Sequence, residues 1–428
     1  MSSENAIRFA GDVTIEKLEL VSLNGFGQDV TNQIVAFEIY EDIFSPFITG
    51  TLALRESIDY AGLFPLVGEE YINIRIKTPT FDDKNMMIDD QFFIYKMTNR
   101  NMVGDRNVIY ELHFISREAI VDMNKRISKS YEGNISDLAK EILSDKINGL
   151  ETSKNILIEP TENSTKYISN YWSPVKNLNF LAECAKNGKE VPNYLFFENR
   201  YGFNFGSLDT LSLSGIKQSF TYDQYYRQIN EDGTSIRNIE EQYKRIIEID
   251  IPMLFDYIDN VQSGMLASRQ ITHDLTTKKY KSLTFDSYDY FEKHNSLNGN
   301  RTITSKGLRA YNSFIMQNLN HWGNFNGYHS TGPSYSAQKR ISLLKQAQQN
   351  KITITVPGRM DYTVGEKIFL NLNKFNPIKD SDNHDDIVDK IFTGQYLISS
   401  INHVIDREKH ECVMEVIKDS YIFNLENE

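Results

Sequence analysis

Gly50-Thr51-Leu52-Ala53-Leu54-Arg55, followed by Val67-Gly68-Glu69, decides how the chain is read, because both stretches come back as Gly264-Met265-Leu266-Ala267-Ser268-Arg269 and Val364-Gly365-Glu366. Further out, Gln91-Phe92-Phe93-Ile94 is echoed by Gln395-Tyr396-Leu397-Ile398. Tyr110-Glu111-Leu112-His113-Phe114-Ile115 is echoed by Cys412-Val413-Met414-Glu415-Val416-Ile417, and the order of elements is kept. A chain carrying one β-rich unit twice can set two similar surfaces around an axis, which points to assembly rather than catalysis.

The repeated unit reads as strands. Ile72, Ile74 and Ile76 alternate with Asn73, Arg75 and Lys77, and Tyr110, Leu112 and Phe114 with Glu111 and His113, the period of a half-buried sheet. The pattern returns at Ile246-Ile247-Glu248-Ile249, which resembles Phe37-Glu38-Ile39. Counted from the Val-Gly-Glu blocks, Ile368-Phe369-Leu370 runs one residue out of phase with Ile72-Asn73-Ile74. A one-residue slip exchanges the faces of a strand, so a bulge or shifted turn must intervene. Gly68 and Gly365 are expected in equivalent tight turns at positive φ.

Between the copies the period changes. Ile135, Leu138, Ala139, Ile142 and Leu143 share a helical face, with Asn134 as N-cap and Asn148-Gly149 as stop. Ser173 and Pro174 open a second helix with Leu178, Leu181, Ala182 and Ala185 as its stripe and Gly188 at its end. Tyr194-Leu195-Phe196-Phe197 and Phe203-Asn204-Phe205 form a hairpin. An Asn-, Ser- and Gly-rich stretch carrying Trp322 interrupts the second copy, and a helix from about Ser336 to Gln349, apolar at Ile341, Leu344 and Ala347, leads back to it. The expected fold is α+β and β-rich, with two related β-barrels. Residues 1–120 form the first barrel, 121–235 a small α/β domain, 236–275 with 346–428 the second barrel, and 276–345 an irregular inserted domain.

A chain of 428 residues exceeds what one core usually supports. Its formal charge, 46 − 58 = −12, argues against sequence-specific nucleic-acid binding through neutralised phosphates, whereas a negative wall lets a polyanion slide past. Cys184 and Cys412 are too few for a disulfide framework and are expected to be reduced and buried. No leader pattern opens the chain and no apolar run reaches membrane-spanning length, so synthesis in the cytoplasm is expected.

No Walker loop, dinucleotide fingerprint, His-Glu-x-x-His or nucleophile elbow occurs. His113 is expected on a strand face, and Asp380-Ser381-Asp382-Asn383-His384-Asp385-Asp386 lacks the central Gly and terminal Glu of a calcium loop. No catalytic, cofactor-binding or metal residue is therefore nominated, no cofactor is expected, and the chain is read as not an enzyme.

Tyr171-Trp172-Ser173-Pro174, Leu178-Asn179-Phe180-Leu181-Ala182, Tyr194-Leu195-Phe196-Phe197-Glu198 and Gly202-Phe203-Asn204-Phe205-Gly206-Ser207-Leu208-Asp209 resemble baseplate hub proteins of contractile-tailed bacteriophages. These are related to the hub part of type VI secretion spike proteins. Tyr131-Glu132-Gly133-Asn134-Ile135-Ser136-Asp137 and Gly394 to Ser420 look like the same family. The resemblance implies two tube domains per subunit and a homotrimer presenting six similar domains, so that a threefold central spike meets a sixfold tail tube. Its implied partners are a separate trimeric spike protein, the tail-tube initiator or tube protein, and a tape-measure protein and baseplate wedge, with no membrane-spanning segment. The implied location is the virion tail baseplate. The alternatives are a receptor- or carbohydrate-binding tail module, drawn from the Tyr, Trp and Asn content of 300–335, and a tail-associated cell-wall hydrolase.

Overall fold

The computed structural model describes residues 7–57, 66–79, 84–104, 106–222, 239–274, 278–305, 312–318, 336–374, 388–407 and 409–427. The first copy comprises β1 (Thr14–Val21), β2 (Gly27–Asp29), β3 (Ile34–Asp42), β4 (Thr49–Glu56), β5 (Tyr71–Lys77), β6 (Met87–Val103) and β7 (Asn107–Ser116), in sheet order β3-β4-β7-β6-β5-β1-β2. Alternation puts Leu52, Leu54, Ile72, Ile74, Ile76, Phe92, Ile94, Leu112 and Phe114 into one core, each such side chain contributing roughly 1.5–3 kcal/mol by burial. One segment closes the barrel. Its start pairs with β1, ending with Val30 N–H on the Leu18 carbonyl at 2.9 Å, and its continuation β3 pairs with β4.

Between the barrels lie α1 (Arg117–Asn124), β8 (Ile127–Asn134), α2 (Ile135–Ser144), β9 (Ile156–Ile158), β10 (Ser164–Trp172), α3 (Pro174–Cys184), β11 (Tyr194–Asn199) and β12 (Gly202–Ser207). The expected caps form: Asn134 accepts from Ser136 N–H, and Ser173 from Lys176 N–H with Pro174 in the first turn. Both helices stop about one turn earlier than expected, because Asp145 and Ala185 already take extended backbone. The hairpin turns at Arg200-Tyr201, with Asn199 opposite Gly202.

The second copy comprises β13 (Ile216–Tyr222), β14 (Glu248–Met253), β18 (Asn350–Pro357), β19 (Lys367–Leu372), β20 (Gly394–Ile405) and β21 (His410–Lys418), in order β14-β18-β21-β20-β19-β13. It closes by the same device: Ile246 N–H reaches the Thr221 carbonyl on β13 at 3.0 Å, and Ile247 N–H the Thr355 carbonyl on β18 at 2.7 Å. The equivalent of β1 is β13, but it runs parallel to its neighbour instead of antiparallel.

Register confirms most of the repeat and corrects part of it. Phe93 faces Ile115 as Leu397 faces Ile417, and Ile94 faces Phe114 as Ile398 faces Val416. Ile72 faces Phe92 as Ile368 faces Tyr396. The missing residue is found: Ile94 N–H bonds the Glu70 carbonyl and Ile398 N–H the Glu366 carbonyl, so Glu366 matches Glu70, not Glu69. The Gly264 block is not the counterpart of Gly50. Gly50 faces Phe114 and Ile352 faces Val416, so the strand equivalent to β4 is β18. The stretch after Gly264 is instead β15 (Ala267–Asp274), the middle strand of a separate sheet with β16 (Lys279–Asp286) and β17 (Asn312–Asn318). The Ile246 segment does correspond to β3, displaced by two residues. Ile249 opposite Ile354 takes the place of Phe37 opposite Leu52, a shift that preserves faces.

The helix α4 (Ala337–Gln349) forms where expected but turns a polar face inward. Gln338, Ser342 and Gln346 are buried, donating to the Ser268, Met265 and Asp419 carbonyls, while Ile341 is exposed. An apolar stripe cannot reveal such a face, since its burial rests on hydrogen bonds to backbone.

Candidate assembly interface

The two barrels are joined by β20. Its first residues, Gly394 to Leu397, pair with β19, whereas Ser400 to Ile405, still paired with β21 on one edge, pair on the other with Asp42 to Phe37 of β3. A bulge between Ile398 and Ser400 precedes the crossing, and β6 has its bulge at the equivalent place, between Ile94 and Lys96. Beyond Phe93, β6 pairs with β7 alone among the described strands, and β14 likewise pairs with β18 alone. By register, Lys96 and Met97 of β6 stand where Ser400 and Ile401 stand in β20, and Met253 stands where Tyr40 stands in β3. The first barrel thus carries the edge that the second uses to reach β3, and the second carries an edge like β3. Both edges show exposed apolar side chains: Met102 on β6 is 72% exposed, Met253 on β14 37%, and Phe255 just past β14 66%.

Buried polar groups hold the barrels in place. Glu41, on β3, accepts from the Thr363 hydroxyl and from Val364 N–H across the seam. Burial pushes its carboxyl up to about 7 against these bonds. Lys154 joins the first barrel to the α/β region, 2.6 Å from Glu198 and 3.2 Å from Asp90. Burial alone pulls that ammonium down, but Glu198, Asp90 and Glu118 outweigh it and hold it above its ordinary value. Lys217 of β13 ties Asp361 at 3.2 Å to Glu366 at 3.1 Å.

His113 sits on β7, half-buried and 2.8 Å from the Thr98 hydroxyl, and its counterpart Glu415 pairs with Lys351. Gly68 and Gly365 have φ of +92° and +83°, as their turns require. Cys184 and Cys412 are buried and unbridged. The acidic stretch 380–386 and Trp322 lie outside the described residues. Two features were missed. The edge complementarity depends on strand order, which alternation does not encode. The grouping of His403, His410 and Cys412 is not legible from alternation, because His403 lies on a different strand and nothing in either strand names its partner. Its signal was the pair His410-x-Cys412, whose side chains share a strand face. No helix among the described residues is long and apolar enough to cross a membrane.

No protein-family model matches the chain, and no curated protein matches it. Among solved structures it is similar to the tail protein from Neisseria meningitidis MC58, with a TM-score of 0.56 and 11% identity over 96% of this chain and 98% of that one. It is also similar to the 43 kDa tail protein of prophage MuSo2 from Shewanella oneidensis, with a TM-score of 0.52 and 9% identity over 95% and 98% of the two chains. A type VI secretion system component from E. coli aligns at a TM-score of 0.43 and 9% identity, over 95% of this chain and 76% of that one. With its paired barrels and the strand equivalences above, the chain has the fold of tail proteins, in agreement with its resemblance to the baseplate hub family.

Proposed function

We propose that the chain is a structural hub of a contractile-tail baseplate, without enzymatic activity. Three subunits close a pseudo-sixfold ring that joins a threefold central spike to the sixfold tail tube. The observation that carries this reading is that β6 and β14 present edges matching, by register, the two sides of the inner seam. Inside the subunit, the second barrel extends β20 onto β3 of the first; between subunits, the first barrel extends β6 onto β14 of the next second barrel. Each contact is heterologous, and such contacts make a closed ring when their rotation closes. Transferring the inner register places Lys96 opposite Phe255 and Met97 opposite Leu254, with the exposed apolar side chains of both edges covered.

The domain division proposed is a first barrel in 1–120, an α/β domain in 121–235 that lends β13 to the second barrel, a second barrel in 236–275 and 346–428, and an inserted domain in 276–345 that draws in β15. Three subunits bring 3 × −12 = −36 formal charges, compatible with a channel passing DNA or a tape-measure protein. The proposed partners are a trimeric spike, the tube or its initiator, and the wedge, in the virion tail baseplate.

The test is a cysteine pair, Lys96→Cys with Phe255→Cys, both exposed in the single subunit. Oxidation with the spike protein present is expected to give a covalent trimer of 3 × 49.6 kDa, about 149 kDa, and each single variant none. A chain that stays monomeric with its spike and forms no crosslink sinks the ring.

A further inference from the structure

We infer that His403, His410 and Cys412 form a zinc site inside the seam between the two barrels. His403 and Cys412 face each other across β20 and β21, and His410 lies two residues from Cys412 on the same face of β21. Three donor atoms converge: His403 Nδ1 is 3.0 Å from His410 Nε2, and Cys412 Sγ is 3.4 Å from each of them. A cation at zinc's ordinary distances, about 2.0–2.1 Å from nitrogen and about 2.3 Å from sulfur, would see these donors at angles of roughly 95° to 105°, near those of a tetrahedral site. Two imidazoles and a thiolate form a borderline-soft set, which suits zinc and not the hard cations.

The surroundings support a built site. All three side chains are fully buried. His403 turns its other nitrogen toward Glu41 Oε1 at 4.0 Å, beyond hydrogen-bond distance, so the nearest carboxylate faces the imidazole from behind without bonding it. Glu41 is on β3, so this carboxylate comes from the first barrel and the three donors from the second. The His410 ring has room only because residue 358 is glycine: a Cβ there would overlap the ring. The backbone of His410 is held on both sides, its N–H on the Gly11 carbonyl at 2.7 Å and its carbonyl on Gly358 N–H at 2.8 Å. As the metal binds during folding, before the site closes, the thiol releases its proton to solvent and the sulfur lone pair goes to the metal, with no change of oxidation state. The site would tie β20 to β21 beside the inner seam as the chain folds, whether or not the ring forms.

The test starts with the full chain produced in zinc-supplemented medium and analysed by elemental mass spectrometry. Stoichiometric zinc is expected in the wild type and in Cys184→Ser, with loss in Cys412→Ser. Because the site is closed to solvent, the second measurement refolds the wild type from denaturant with cobalt(II). A thiolate-to-cobalt charge-transfer band is expected, and Gly358→Ala should weaken it by pushing His410 aside. A wild type that folds without zinc and shows no such band after refolding overturns the site, whatever the variants do. Zinc kept at full occupancy in folded Cys412→Ser overturns it as well.

Discussion

The ammonium of Lys154 lies 2.6 Å from the carboxylate of Glu198, which is itself fully buried and accepts from Ile48 N–H at 3.0 Å. The pair crosses from the α/β region to the entry of β4, so it fixes how that region sits on the first barrel. Lys154→Met leaves a buried carboxylate without its cation, and a loss of about 3–5 kcal/mol is expected. Adding Glu198→Gln should recover much of it, since the amide oxygen still accepts from Ile48 without a charge to bury. Denaturant unfolding of the two single variants and the double variant measures the coupling; additive losses would mean that the two residues act separately.

Glu70 explains the extra residue of the first barrel. Its carboxylate accepts from the backbone N–H of Val67, Gly68 and Glu69 at 2.9, 2.9 and 3.2 Å, closing a turn that the second barrel makes one residue shorter. Glu70→Ala strips three donors of their partner at a buried position, and a loss of about 1–3 kcal/mol is expected. A thermal melt at the wild-type temperature would show that solvent replaces the carboxylate freely.

The two turn glycines should respond differently. Around Gly68 the nearest atom to an added Cβ is the Tyr95 carbonyl oxygen at 4.0 Å, so Gly68→Ala meets only the strain of a left-handed backbone, about 1 kcal/mol. At Gly365 the same strain is joined by the Phe197 ring at 3.4 Å, and Gly365→Ala should cost more. Equal losses in paired unfolding curves would remove the packing contribution.

How far the fold was legible follows from which physical signals are local. Alternation and order exposed β6 with β20 and β7 with β21, because each strand buries one face and its pattern survives duplication. Asn134 and Ser173 announced their helices for an equally local reason. Gly50 misled because glycine answers two different needs. At Gly50 the Phe114 ring and the Glu38 carbonyl leave no room for a Cβ, whereas Gly264 follows a short helix at φ +76°. The second barrel meets the first need with Ile352 and different packing. Pairing across the seam stayed out of reach, since His403 beside Ile39 joins residues far apart in the chain, and nothing in either strand names its partner.

Lys418 provides the pH prediction. It is buried beside the Ile391 carbonyl, with its ammonium 4.7 Å from the Tyr396 ring centre and 5.1 Å from that of Tyr421. Burial pulls the ammonium down from 10.5 to about 7, opposed by Asp389. Between pH 7 and 10.5 the unfolded chain holds this proton and the folded chain does not, so the contribution of Lys418 to stability rises with pH through that window. It levels off above the window, and below it both states are protonated and the cost is constant. Lys418→Met removes the dependence and should stabilise the chain by up to a few kcal/mol at neutral pH, with the gain shrinking as pH rises. Denaturant unfolding of both proteins across the window decides it: parallel curves would mean that the two rings and the carbonyl keep the ammonium charged despite its burial.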